Sequence, residues 1–95
     1  MFARVSTYRG SQDGSSGPAQ DLVRRVLEIP GCRGFYFMNG KGSGKSLSIA
    51  LYDTEENLAA SKEMANSLRS EASSSLKLEI LDVEEYEVVT HELNG

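Results

Sequence analysis

Apolar residues alternate with polar ones in several stretches of the chain and recur at helical spacing in two others. From Phe2 to Arg9, Ala3, Val5 and Thr7 fall on one face and Phe2, Arg4, Ser6 and Tyr8 on the other, which is the period of a strand. Gly10 to Gly17 (GSQDGSSG) is a loop by composition. Pro18 then predicts a first helical turn capped by Ser16 or Gly17, with Ala19, Leu22, Val23, Val26 and Leu27 along one stripe. Ile29, Pro30 and Gly31 end that helix, because proline cannot continue the hydrogen-bond ladder and restricts the residue before it.

Two apolar runs, Gly34 to Met38 and Leu47 to Tyr52, flank Gly40, Lys41, Gly42, Ser43, Gly44 and Lys45, which predicts a β-hairpin with an exposed glycine-rich tip. In its first strand Phe35 and Phe37 oppose Tyr36 and Met38. In its second, Leu47, Ile49 and Leu51 oppose Ser46, Ser48, Ala50 and Tyr52. Asp53 with Glu56 three residues on predicts a capping box and a second helix from about Thr54 to the Ser73–Ser75 cluster. Leu58, Ser61, Met64, Ala65, Leu68 and Ala72 form its inward stripe. Leu76 to Leu81 alternates again, and Val83 to Thr90 is rich in strand formers. A slip of parity between Val83 and Tyr86 predicts a bulge or break, giving one bent strand or two short ones. His91 to Gly95 reads as a tail.

This order predicts an α+β protein: a ferredoxin-like βαββαβ domain over residues 1–95, with a four-stranded antiparallel sheet and two helices on one face. Right-handed crossovers put both helices on the same side, yet the strands carry apolar residues on both parities. A homodimer through the open sheet face is therefore expected, with Tyr86, Val88 and Val89 reaching across to the partner.

Composition narrows the function classes. A net charge of -4 with scattered basic residues argues against nucleic acid as a partner. The single cysteine, Cys32, permits no internal disulfide, and no apolar run is long enough for a leader or a membrane span. A soluble, cytoplasmic protein is expected.

Gly44-Lys45-Ser46 matches the end of a phosphate-binding loop, but Asn39 stands where that motif needs glycine, and a strand follows where it needs a helix. No nucleotide site is expected. His91 is the only histidine, so no zinc site can be assembled, and Asp82, Glu84, Glu85 and Glu87 read as a solvated face. Neither metal nor cofactor is expected. More informative are the polar residues on apolar strands: Arg4, Ser6, Tyr8, Tyr36, Ser48 and Tyr52. They could line a small polar-spotted pocket, or lie at edges and interfaces satisfied by water and backbone.

The segments ARVSTYR, PGCRGFYF, KSLSIALYDTEENL and VEEYEVV, taken together, give the chain a resemblance to the antibiotic biosynthesis monooxygenase-like family of dimeric α+β barrels. The likeness rests on the apolar pattern, the Pro-Gly before the second strand, and Tyr52, Asp53 and Thr54 leading into a helix. It implies a homodimer with facing sheets and, in some members, cofactor-independent oxygenation of polycyclic aromatics or degradation of haem. The chain lacks the tryptophan that family oxygenases carry at the position of Tyr52. It also lacks the first-strand asparagine of the haem-degrading members, and His91 lies beyond the last strand. The favoured reading is a dimeric small-ligand-binding or accessory domain for a small apolar or aromatic molecule. The alternative is a cofactor-independent monooxygenase acting on a small aromatic or polyketide-like substrate, with Tyr52, Arg4, Tyr36 and Ser48 as catalytic candidates.

Overall fold

The computed structural model describes residues 1–10 and 17–94. Seven elements follow in order: β1 (Phe2–Gly10), α1 (Gln20–Leu27), β2 (Cys32–Asn39), β3 (Lys45–Tyr52), α2 (Glu55–Ala60), α3 (Lys62–Leu76) and β4 (Leu78–Glu87). The four strands form one antiparallel sheet in the order β2-β3-β1-β4, the ferredoxin-like arrangement that the alternating patterns predict. No helix among the described residues is long and apolar enough to cross a membrane.

The helix boundaries differ from expectation in ways with local causes. Ala19 is the N-cap of α1, so Pro18 precedes the helix and Gly17 does not cap it; the alternative cap, Ser16, and most of the Gly-Ser loop lie outside the described residues. The buried stripe is Leu22, Val26 and Ile29, whereas Leu27 points to solvent. Thr54, not Asp53, caps α2: its hydroxyl accepts from the Asn57 backbone at 3.1 Å. The Asp53 carboxylate instead accepts from the Asn57 amide at 2.8 Å, which holds its pKa below the usual carboxylate range.

The second predicted helix is two. Ser61 closes α2 and opens α3, and its hydroxyl donates back to the Leu58 carbonyl at 2.7 Å, a bond that bends helices. Met64, expected to pack inward, is exposed. The last turn runs to Leu76, past the serine cluster, and Lys77 ends it in the left-handed region usually given to glycine. Of the stretch from Leu76 to Thr90, Leu78–Glu87 forms one strand, β4, and not two short ones. Its irregularity sits earlier than predicted: Thr7 pairs with Asp82 and Tyr8 with Ile80, so Leu81 is the bulged residue, while Val83 to Tyr86 is regular. Val88 donates its amide to the Met1 carbonyl at 2.9 Å, and residues 88–94 have no regular structure.

Lys45 opens a strand rather than a helix, and residues 40–45 are exposed at the hairpin tip. Gly31 joins α1 to β2 at φ 82°, and a Cβ there would lie 2.5 Å from the Asn57 amide nitrogen. Only glycine meets both demands. The central packing under the helices unites Ile29, Tyr52 and Leu58, with Phe2, Cys32, Ala50 and Leu68 against them.

Candidate functional site

Alternation along the strands decides what lies beneath the helices. Arg4, Ser6 and Tyr8 of β1, Phe35 and Phe37 of β2, and Ser48, Ala50 and Tyr52 of β3 share the helix-covered face, opposite Leu22 and Val26 of α1 and Leu68, Arg69 and Ala72 of α3. Between them lies a cavity of about 50 Å³. It has room for about three to five waters at roughly 10–15 Å³ each, and about a third of the volume of an engineered cavity that binds benzene.

Its polar groups are tied in two short links. Ser6 and Ser48 are cross-strand partners. The Tyr8 and Ser48 hydroxyls share a 3.0 Å hydrogen bond, and Arg69 Nε donates to Ser6 Oγ, also at 3.0 Å. Tyr8 packs its ring against Phe37 at a centroid distance of 6.1 Å.

Arg4 is 3 % exposed and nearly saturated. Its Nη1 donates to Ser61 Oγ at 3.0 Å, while Nη2 donates to the Leu58 carbonyl and to Glu85 Oε2, each at 3.0 Å. The Nε–H adds a longer bond to the same carboxylate. A buried guanidinium survives only when paired in this way, so Arg4 locks the α2–α3 bend to the sheet. Its charge is matched by Glu85, which leaves Arg4 little capacity to stabilise an anion in the cavity. The guanidinium carbon also stands 5.6 Å from the centroid of the Tyr52 ring.

Tyr52 is fully buried, and its hydroxyl has no hydrogen-bond partner among the described residues. Such a group costs about 1–3 kcal/mol relative to a satisfied one, and a native structure keeps it for a reason. Around it the cavity wall is mostly apolar.

Of the sequence candidates, the cavity therefore gathers Tyr52, Arg4 and Ser48, together with Ser6 and Tyr8. It does not gather Tyr36. That side chain is 48 % exposed, paired in register with Ile49 on the uncovered face, because its neighbours Phe35 and Phe37 take the inward positions. Two contributors were not anticipated. Glu85, assigned to a solvated run, is the partner of Arg4. Arg69 enters from α3, four residues after Ala65 and three before Ala72, so its place on the inward stripe was a readable signal. Burial lowers the Arg69 pKa from its ordinary value; Tyr8 raises it and Arg4 lowers it further.

The strand order, the helices on one face and the cavity between them define a ferredoxin-like α+β protein with a small space between its two layers. The same fold occurs in a provisionally assigned antibiotic biosynthesis monooxygenase from Deinococcus radiodurans, with a TM-score of 0.63 over 99% of this chain and 97% of that one, at 14% identity. A second structure of that provisional assignment, from Chloroflexus aurantiacus, aligns with a TM-score of 0.55 over 98% of both chains, also at 14% identity. No protein-family model matches the sequence, and no curated protein does. At that identity the likeness is one of fold.

Proposed function

We propose that the chain forms a single-domain homodimer of the cytoplasm that binds a small, largely apolar molecule between helices and sheet. One observation carries this reading: the Tyr52 hydroxyl, fully buried and with no partner among the described residues, in the wall of an otherwise mainly apolar cavity. A ligand oxygen or nitrogen would supply the missing partner, while Phe35, Phe37, Ala50 and Leu68 would hold the apolar body. In the present conformation the cavity is too small for an aromatic ring. A ring enters when the half-buried Arg69 side chain swings outward, which costs its bonds to Ser6 and Asn66.

The dimer is supported by the uncovered face. Val5, Leu47, Ile49 and Leu51 lie there in adjacent register with Tyr36, Met38 and Tyr86, and the last three are more than 40 % exposed. A second copy related by a two-fold axis covers such a patch with itself. Sedimentation equilibrium at micromolar concentration tests it, and a stable monomer refutes it.

For binding, the measurement is an NMR chemical-shift titration with naphthylmethanol, comparing wild type with Tyr52→Phe. Loss of one buried hydrogen bond weakens binding about tenfold. Equal affinity in both proteins, or no binding to either, refutes the reading.

The oxygenase alternative is favoured by the same Tyr52 hydroxyl and by the provisional assignment of the neighbouring structures. In that chemistry a phenolic ring and dioxygen give a quinone and water: one oxygen atom enters the ring and the other leaves as water, the ring supplying all four electrons and the two hydrogens of the water. Tyr52 would hydrogen-bond the reacting oxygen. Oxygen uptake with polyphenols that is lost in Tyr52→Phe would establish this alternative; absence of uptake would remove it.

A further inference from the structure

We propose that the cleft between α3 and β4 is a binding site for an organic carboxylate, with Arg69 and Lys62 as its cationic walls. This rests on the small-ligand reading above and names the class of ligand. The cleft has a volume of about 360 Å³, opens to solvent, and is lined by Arg4, Lys62, Asn66, Arg69, Val83 and Glu85. Arg4 and Arg69 line the inner cavity as well, so the two spaces share a wall made of two guanidinium groups.

The two arginines differ in what they have left to give. Arg4 faces the Glu85 carboxylate and has most of its donors engaged. Arg69 hydrogen-bonds only to neutral groups, Ser6 Oγ at 3.0 Å and Asn66 Oδ1 at 2.6 Å, and forms no ion pair among the described residues, Glu85 acting on its charge from longer range. Both hydrogens on its Nη2 and one on Nη1 remain, which is the fork a carboxylate accepts in bidentate fashion. Lys62, exposed on the first turn of α3, adds a second cation with no ion pair among the described residues.

The cleft thus sets three cations against one carboxylate on a chain whose net charge is -4. Local charge of this sign concentrates anions at the mouth of the site. Glu85 in the same wall selects against a dianion, because a second negative charge would meet its carboxylate. Val83 on one side and the apolar cavity behind the arginines favour an organic acid over inorganic phosphate.

The test is an NMR titration of the full chain with naphthoate, naphthylmethanol and inorganic phosphate, at low and at high salt. Naphthoate is expected to bind at least about tenfold more tightly than the neutral alcohol at low salt, as a charge-assisted hydrogen-bonded pair does. The preference should shrink as salt rises. Arg69→Gln should abolish it, and Lys62→Gln, at an exposed position that does not endanger folding, should reduce it about two- to fivefold. Equal affinity for acid and alcohol in wild type overturns the carboxylate site and leaves the small-ligand reading standing; failure of both probes overturns both. Phosphate binding tighter than naphthoate overturns the organic-acid assignment, as does a preference that survives both substitutions.

Discussion

The two faces of the central strands are built the wrong way round for a sheet with helices on one side. A half-covered antiparallel sheet ordinarily turns its apolar residues to the helices and its polar ones to water. In β1 and β3 the helices instead cover Arg4, Ser6, Tyr8, Ser46, Ser48 and Tyr52, while Val5, Leu47, Ile49 and Leu51 point away. Phe2 and Ala50 of these strands and Phe35 and Phe37 of β2 restore some apolar contact on the covered side, but Tyr36 and Met38 add to the other. The covered face thus spends its position on hydroxyls and a guanidinium, each needing a partner. The uncovered face holds the apolar residues that a lone chain would leave partly in water.

Four substitutions break or sharpen this contrast. The largest effect is expected from Ile49→Asp at the middle of the uncovered face. An isologous interface meets the change twice, so the loss is about 3–6 kcal/mol of association, a hundredfold or more in dimer dissociation constant. Sedimentation equilibrium reads this directly, and an unchanged association state would show that this face is not the interface.

On the covered face, Arg4→Met should lower unfolding stability by about 3 kcal/mol, the lower end for breaking a buried ion pair, because Glu85 is 45% exposed and can rehydrate. Ser61 keeps its bond to the Leu58 carbonyl, so the loss is confined to the guanidinium. Urea denaturation checks it; a change below about 1 kcal/mol would mean that the pair contributes no net stability.

Tyr52→Phe carries the opposite sign. Removing an unpartnered buried hydroxyl should raise stability by about 1 kcal/mol while weakening ligand binding. A drop in thermal midpoint would show instead that the hydroxyl already has a partner in the folded protein.

The smallest effect is expected at Arg9, on the same strand as Arg4 but on the uncovered parity, where its Nη2 stands 3.6 Å from Glu79 Oε1 and both side chains are mostly exposed. Arg9→Gln should change stability by no more than about 0.5 kcal/mol by the same urea measurement, as exposed ion pairs do. The two arginines five residues apart then isolate what burial adds to a guanidinium. An effect at Arg9 comparable to that at Arg4 would remove burial as the explanation.

Local periodicity carried most of the fold. The period-two runs of β1, β2 and β3 and the helical stripe through Leu22 and Val26 need only their own neighbours in sequence, so they could be read without coordinates. Boundaries were less legible, since Thr54 and Asp53 are both good caps and only the packed geometry gives the Asn57 amide to one and its side chain to the other. The bulge at Leu81 was displaced in the sequence reading because a bulge shows only as lost parity, and the acidic run masked where parity was lost.

The same division holds for the site. The sequence by itself determined that Arg4, Ser6 and Tyr8 share a face, as do Ser48 and Tyr52, because strand alternation admits no other placement. Only the tertiary structure decided that the helices cover that face and not the apolar one, because parity says which residues go together and nothing about which side is buried. It alone gave Arg4 a partner 81 positions away in Glu85, brought Arg69 from α3 to Ser6 of β1, and left the Tyr52 hydroxyl with none among the described residues. Those are contacts between elements far apart along the chain, set by register and helix docking, and no local pattern encodes them.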